Sequence, residues 1–347
     1  MDVTRSIMFC FYPLYVAWNH GIALLSALCK QEGIETSLCL LHDQNEFKTR
    51  LSDHTGKYVG FSVVCSEDFA KSVLYVDMAK KAGKTVLLGG VWAGLDKPTP
   101  DCVDYVCRGD GETLPRFIME GDRSLFENKL VCSDLDSLPL PDFDLFEDIP
   151  FERGFPILKG KRVLPYISSR GCIHECTFCQ IRHQPHGMRI RRKMGEDLSL
   201  LSKRHNPDVF FLGDAMLPYH DRRWRESWGD FRHPFVCYIR ADIEPETLEW
   251  LIERGLIGCA FGVEHGDEHF RNSVLKKHLT DEQLFATVET LQTNDIEYVP
   301  FFMTDFPGEN FLMKTKTAKM AQKVGGYPVI WKYENLKGER AWAYQPQ

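Results

Sequence analysis

The sequence has no apolar run approaching the roughly 18 to 20 residues needed to cross a bilayer. Met1 to Tyr15 also lacks the basic stretch and long apolar stretch of an export signal. Both absences predict a cytoplasmic protein with no membrane partner. Positive charge is not in excess either: 42 Lys and Arg stand against 49 Asp and Glu, a net charge of −7. That balance argues against a dedicated polyanion-binding surface and makes nucleic acid an unexpected partner. No internal repeat of 20–50 residues and no low-complexity segment occurs, so solenoids and disordered arrays are excluded. With no export signal, the twelve cysteines are expected to stay reduced and to serve chemistry or packing, not a disulfide framework.

What is present describes two folded domains. The 347 residues are 44% hydrophobic and 26% charged, with 26 Gly and 18 Pro, an ordinary globular composition in a chain too long for one average domain. Short apolar runs at Ile7 to Tyr12, Thr36 to Leu41, Tyr58 to Val64 and Thr85 to Leu88 alternate with helical patterns such as Ala23 to Gln31 and Phe69 to Lys81. This alternation predicts a doubly wound, Rossmann-like parallel sheet over residues 1–133. Gly89-Gly90 and Gly109-Asp110-Gly111-Glu112 follow strands, where open parallel sheets bind ligands, although tight turns alone also explain such glycines.

Residues 134–157 read as a linker. From Asp134 to Glu152 there are seven acids, no Lys or Arg, and Pro139, Pro141 and Pro150, which predicts an extended run across the surface. Over residues 158–347 strands recur at Val163 to Ser168, Val209 to Leu212, Phe235 to Ile239, Cys259 to Val263, Tyr298 to Met303 and Val329 to Trp331. Six βα units fit a partial (β/α)6 TIM-type barrel. Pro245 opens one helix, Gly255 ends it, and Thr280 with Gln283 forms a capping box. Arg182 to Arg204 holds seven Lys and Arg against two acids and reads as a solvated helix face, with a grip on a phosphate-bearing substrate as the rival reading. Trp224 and Trp228 suit core or lid packing equally.

Directly after the first strand of the second half stand Cys172, Cys176 and Cys179. The spacing Cys-x3-Cys-x2-Cys lets one loop present three soft thiolates to three corners of an iron–sulfur cubane, leaving the fourth iron open. The alternatives are incidental thiols or a zinc site closed by His174 or His183. Structural zinc, however, favours paired Cys-x2-Cys knuckles over this triplet.

With Phe178 included, this loop resembles the cluster motif of the radical S-adenosylmethionine (SAM) enzymes. Phe210-Phe211-Leu212-Gly213-Asp214 resembles their second-strand motif, Cys237 to Asp242 the third-strand Arg motif, and Phe261-Gly262-Val263-Glu264-His265-Gly266 the Gly-Ile-Glu-Ser-Gly motif. Phe306-Pro307-Gly308-Glu309 resembles the Leu-Pro-Gly-Glu turn, with Asp305 where Gly is usual and His265 where Ser is common. Val59-Gly60-Phe61-Ser62, Leu88-Gly89-Gly90, Arg108 to Glu112 and Leu135 to Asp142 resemble blocks of the cobalamin-binding domain preceding the radical domain in one subgroup.

The resemblance implies a [4Fe-4S] cluster on Cys172, Cys176 and Cys179, which reductively cleaves SAM to a 5′-deoxyadenosyl radical. It further implies cofactor contacts from Phe178, Gly213, Asp214, Arg240 and Glu264, the last at the ribose, and cobalamin near Gly89 and Gly90. The reaction it leads to is radical methylation of an unactivated carbon on a small-molecule or peptide substrate. The electron would come from a donor such as flavodoxin or ferredoxin. Rearrangement or oxidation without cobalamin is the first rival. Methylthio transfer would use Cys10 and Cys65 but finds no third cysteine at Gly89-Gly90-Val91. A zinc-stapled binding module is the non-enzyme rival. The absence of Asp-x-His-x-x-Gly means that cobalamin, if bound, would lack a protein histidine on its lower face.

Overall fold

The computed structural model describes residues 5–12, 19–94, 99–147, 156–179, 181 and 187–333. The chain divides into two compact units, Met1–Gly154 and Phe155–Gln347.

The first unit is built on β1 (Ser6–Phe11), β2 (Glu35–Leu40), β3 (Tyr58–Ser62), β4 (Thr85–Gly89) and β5 (Tyr105–Val106). Every pairing is parallel and the order is β2-β1-β3-β4-β5. Parallel neighbours need crossovers, supplied by α1 (His20–Gln31), α2 (Gln44–Asp53) and α3 (Ser66–Lys81), with α4 (Leu114–Glu120) and α5 (Ser124–Glu127) after β5. All six residues of β1 are buried, as expected of a central strand in a covered parallel sheet. Asn19 and Asp43 start α1 and α2 by accepting backbone N–H groups with their side chains. The order of strand addition reverses beside β1, which makes the carboxyl ends of β1 and β3 the switch point where such sheets take ligands.

The acidic linker differs from the expected extended run. Leu135–Ser137 and Phe143–Phe146 are short 3-10 turns, and Leu135, Phe143 and Phe146 are buried. Asp142 accepts from Ser26 Oγ and pairs with Lys30, and Phe146 lies 6.2 Å from Phe11. Buried aromatics spaced between the prolines outweigh the extended preference, so this stretch packs on the first unit. Residues 148–155 lie outside the described residues.

The second unit holds β6 (Val163–Tyr166), a short antiparallel pair β7 (Ser169–Arg170) and β8 (Arg189–Ile190), then β9 (Val209–Leu212), β10 (Phe235–Ile239), β11 (Leu256–Glu264), β12 (Glu297–Thr304) and β13 (Val329–Lys332). Six strands pair in parallel in the order β13-β12-β11-β10-β9-β6. Between them run α6 (Met194–His205), α7 (Arg222–Ser227), α8 (Pro245–Glu253), α9 (Asp281–Thr293) and α10 (Phe311–Val324). Sequential parallel strands with a helix at each step are the topology of a partial (β/α)6 barrel. The capping box at Thr280 is present, and Gly255, at φ +107°, ends α8 where an added Cβ would meet His233 O at 2.3 Å.

The basic stretch is not a plain solvated face. Arg191 is buried against Asp197, and Arg192 pairs with Asp221 at 2.7 Å. Residues 182–186 lie outside the described set. Trp224 and Trp228 are fully buried and meet edge to face at 5.2 Å, which places both in the core. No helix among the described residues is long and apolar enough to cross a membrane.

Candidate functional site

The cysteine loop leaves the carboxyl end of β6. Gly171 adopts φ +85°, and a Cβ there would stand 2.2 Å from Gly187 O, so only glycine admits this entry. Cys176 is buried while Cys172 and Cys179 are half-buried. Cys179 N donates to Cys176 O, closing a turn. Thr177 binds the loop to the segment after β11, its N donating to Leu275 O and its Oγ1 to Val274 O, both at 2.9 Å. Phe178 packs against Phe270, Leu275 and Phe306.

The three thiols thus share one loop. Among the described residues no three His, Cys, Asp or Glu side chains are drawn to a single point as one metal ion requires. His174 lies beside Arg240 and Lys277, and burial followed by those cations pushes its pKa down to about 4. His183 lies outside the described residues. Soft thiols on one loop, two of them reachable from solvent, fit an iron–sulfur cluster. Six other cysteines lie in the core. Burial raises the Cys29 thiol to about 12, lifts Cys39 and Cys107 to about 11, and sends Cys10, Cys237 and Cys259 well up, which makes these inert packing groups. Cys10 in particular is fully buried beside Cys39, against its use as a ligand for a second cluster.

The ends of the next strands bring charged groups to the same side of the sheet. Gly213 follows β9, and an added Cβ would make only ordinary contacts, from 3.4 Å to the Phe211 ring. Asp214 is fully buried. Its Oδ1 accepts from Ser168 N and Oγ at 3.0 Å and from Ser169 Oγ at 2.6 Å, while Oδ2 has no partner among the described residues. Burial raises its pKa to about 6 against the lowering effect of those hydrogen bonds. Asp214 therefore ties the end of β9 to the start of the cysteine loop.

Arg240, after β10, is buried and grips Asp242 through two nitrogens at 2.9 and 2.7 Å. Its Nη2 also donates to Lys277 O at 2.6 Å, and its Nη1 lies 3.9 Å from Cys176 Sγ. The salt bridge thus aims a cation at the cysteine loop.

Glu264 ends β11 at φ +70°, a left-handed conformation that costs energy in a non-glycine residue. A register shift against β12 at this point turns the side chain back across Gly262, where an added Cβ would stand 1.7 Å from Glu264 Oε1. The carboxylate is buried and accepts from Lys277 Nζ at 2.9 Å.

His265 is fully buried between Asp267 N, which donates to its Nδ1, and Glu309 Oε1 at 3.2 Å, so it joins the strand-end motif to the turn at Phe306 to Glu309. Burial outweighs Glu309 and lowers its pKa. Asp305 takes φ +66°, which explains why Gly is usual there; Asp is among the few residues that tolerate this region, and Lys314 pairs with it.

Sequence reasoning missed Lys277 and Arg271. Arg271 is fully buried in the π-helical turn Phe270–Val274 and donates to Leu279 O, His265 O and Asp281. Lys277 sits between Lys276 and His278, both at positive φ. No motif signals either one; a charged run after an amphipathic turn reads as surface until tertiary contacts bury it.

In the first unit the glycines separate. Gly90, at φ +91°, is required by packing, because a Cβ would come within 2.4 Å of Val63 O. Gly109 is equally crowded by Leu130 O at 2.2 Å. Gly89 would accept a Cβ with nothing nearer than 3.9 Å, so packing gives no reason for glycine there. Beyond the ends of β3 and β4, Val64 and Val91 are 48% and 41% exposed, an apolar lip beside that open strand end. Cys65 precedes α3 without capping it.

The arrangement matches known proteins in fold. Over 94% of this chain and 72% of the other, at TM-score 0.72 and 13% identity, it follows the radical SAM methyltransferase TsrM from Kitasatospora setae with tryptophan substrate and a SAM analogue bound. The cobalamin-dependent radical SAM enzyme OxsB, with aqua-cobalamin bound, matches at TM-score 0.64 and 16% identity over 92% of this chain and 52% of that one. In sequence, 194 residues are 23% identical to cytidylyl-2-hydroxyethylphosphonate methyltransferase from Streptomyces wedmorensis, covering 51% of this chain and 36% of that enzyme. The chain thus matches little more than a third of that relative's length. No protein-family model matches. The fold is therefore shared with these two radical SAM enzymes.

Proposed function

We propose that this protein is a radical SAM enzyme, a cobalamin-dependent methyltransferase acting on an unactivated carbon of a small-molecule or peptide substrate. The observation that carries the reading is the loop holding Cys172, Cys176 and Cys179 at the carboxyl end of the first barrel strand, with Arg240, just after β10, beside Cys176 and Glu264 at the end of the neighbouring β11. A [4Fe-4S] cluster on three thiolates supplies one open iron and one electron to bound SAM. This chain's residues do the rest. Asp214 and Thr177 fix the loop at its two ends, Arg240 places positive charge against a thiolate ligand, and Glu264 offers a carboxylate to ribose hydroxyls. In the first unit, open Gly89 and the apolar lip at Val64 and Val91 fit a large flat cofactor such as cobalamin at the strand ends.

The test is anaerobic preparation with iron, sulfide and corrinoid analysis, followed by SAM cleavage with reduced flavodoxin or ferredoxin. About four irons and 5′-deoxyadenosine or S-adenosylhomocysteine as product support the reading. Stoichiometric zinc would replace it with the binding module, and about eight irons with the two-cluster enzyme. Retained hydroxocobalamin, with a Co(II) resonance lacking nitrogen splitting from histidine, supports the corrinoid assignment. Failure to retain any corrinoid would turn the reaction towards rearrangement or oxidation.

A further inference from the structure

Lys277 lies where three site elements meet. Its carbonyl accepts from Arg240 Nη2, its Nζ donates to Glu264 Oε1 at 2.9 Å, and the same Nζ stands 5.9 Å from the centroid of the Phe178 ring in the cysteine loop. The side chain is 8% exposed, and its backbone is held by Lys277 N donating to Arg271 O between two left-handed residues. A buried ammonium commonly spends its three N–H donors on partners. Here one goes to Glu264, and no partner for the other two is found among the described residues. Glu264 has the complementary deficit: Oε1 is taken by Lys277, and Oε2 accepts nothing among the described residues.

We propose, resting on the cofactor reading above, that Lys277 is a second cofactor-binding residue and that it forms with Glu264 a paired clamp for a vicinal diol. A ribose hydroxyl both donates and accepts a hydrogen bond. A carboxylate alone can only accept and an ammonium only donate, whereas the pair matches both capacities. The left-handed turn at Glu264, the glycine cleared beneath its carboxylate and the strained turn around Lys277 all hold this pair in place. The contact to Phe178 couples the clamp to the loop bearing the cluster ligands.

The experiment measures binding of S-adenosylhomocysteine and its 2′-deoxyribose analogue to anaerobically reconstituted protein by calorimetry, for wild type, Lys277→Met, Lys277→Arg and Glu264→Gln. Wild type should prefer the ribose form at least tenfold. Lys277→Met should bind S-adenosylhomocysteine at least tenfold more weakly, lose most of the ribose preference and keep its iron. Lys277→Arg should recover part of both. A Lys277→Met protein with affinity and ribose preference within twofold of wild type would overturn the clamp, as would weakening with the preference intact, which marks a merely structural residue. Should Lys277→Met fail to fold, Lys277→Arg carries the test: a reduced ribose preference supports the clamp, and affinity and preference within twofold of wild type overturn it. Wild type that binds neither compound overturns the cofactor reading itself, a result distinct from failure of the clamp.

Discussion

The two units solve the same architectural problem, a parallel sheet covered by helices, yet treat their strand ends in opposite ways. In the first, buried acidic and basic side chains among the described residues are few, Asp68 and Asp142, and the ends of β3 and β4 carry glycine and valine. In the second, Arg191, Asp197, Asp214, Arg240, Glu264, Arg271 and Lys277 are all buried, and all but Asp197 stand at or just past strand ends or in the segment between β11 and α9. Burying charge is costly unless each group is paired. The second unit meets that cost with the ion pairs Arg191–Asp197, Arg240–Asp242, Lys277–Glu264 and Arg271–Asp281 and with serine hydrogen bonds to Asp214, whereas the first leaves its strand ends open and apolar.

Four sets of substitutions sharpen or break that contrast, in descending size. Replacing Cys172, Cys176 or Cys179 by Ala should abolish cluster absorbance and SAM cleavage together, whereas Cys10→Ala or Cys237→Ala should leave the iron content unchanged and lower only stability. Retained cleavage in any of the first three would sink the assignment. Gly90→Ala forces a Cβ against the Val63 backbone at a left-handed φ and should destabilise the first unit by about 3 kcal/mol, seen as a lowered denaturation midpoint, while Gly89→Ala should stay within about 0.5 kcal/mol and instead weaken corrinoid retention.

Asp214 gives the pH dependence. Its folded pKa, about 6, lies above the ordinary carboxylate value of 3.8, so the folded state binds the extra proton and stability falls as pH rises from about 4 to about 6, then remains lower. The gap of roughly two units corresponds to about 3 kcal/mol at most. Asp214→Asn should flatten that slope in urea titrations across this range, and a slope unchanged in the variant would show that another group sets it. Glu264→Gln should weaken SAM binding by about 1–3 kcal/mol, a factor of about 5 to 150, with iron content intact. Equal affinity would leave Glu264 a purely structural carboxylate.

Much of this was legible in the chain. Alternating apolar runs and helical patterns marked all four long strands of the first sheet and all six of the second, because strand periodicity and helix capping are local properties. The grouping of Cys172, Cys176 and Cys179 was legible for the same reason: residues that share one loop are close in sequence. Local reading failed where distant segments decide. The proline-rich acidic stretch reads as extended until Phe143 and Phe146 find a core to enter, and Arg191 reads as solvated until Asp197 buries it.

The sequence by itself determined the two parallel α/β sheets, the cysteine spacing and the positions of the residues at the strand ends, since each rests on residues within a few positions of one another. Only the tertiary structure decided that Gly90 is a packing glycine and Gly89 is not, that Cys10 is inert, and that Arg240, Glu264 and Lys277 share one network. Those facts depend on backbones and charges brought together from across the fold, and on the loss of water around them. Neither spacing nor composition encodes that burial.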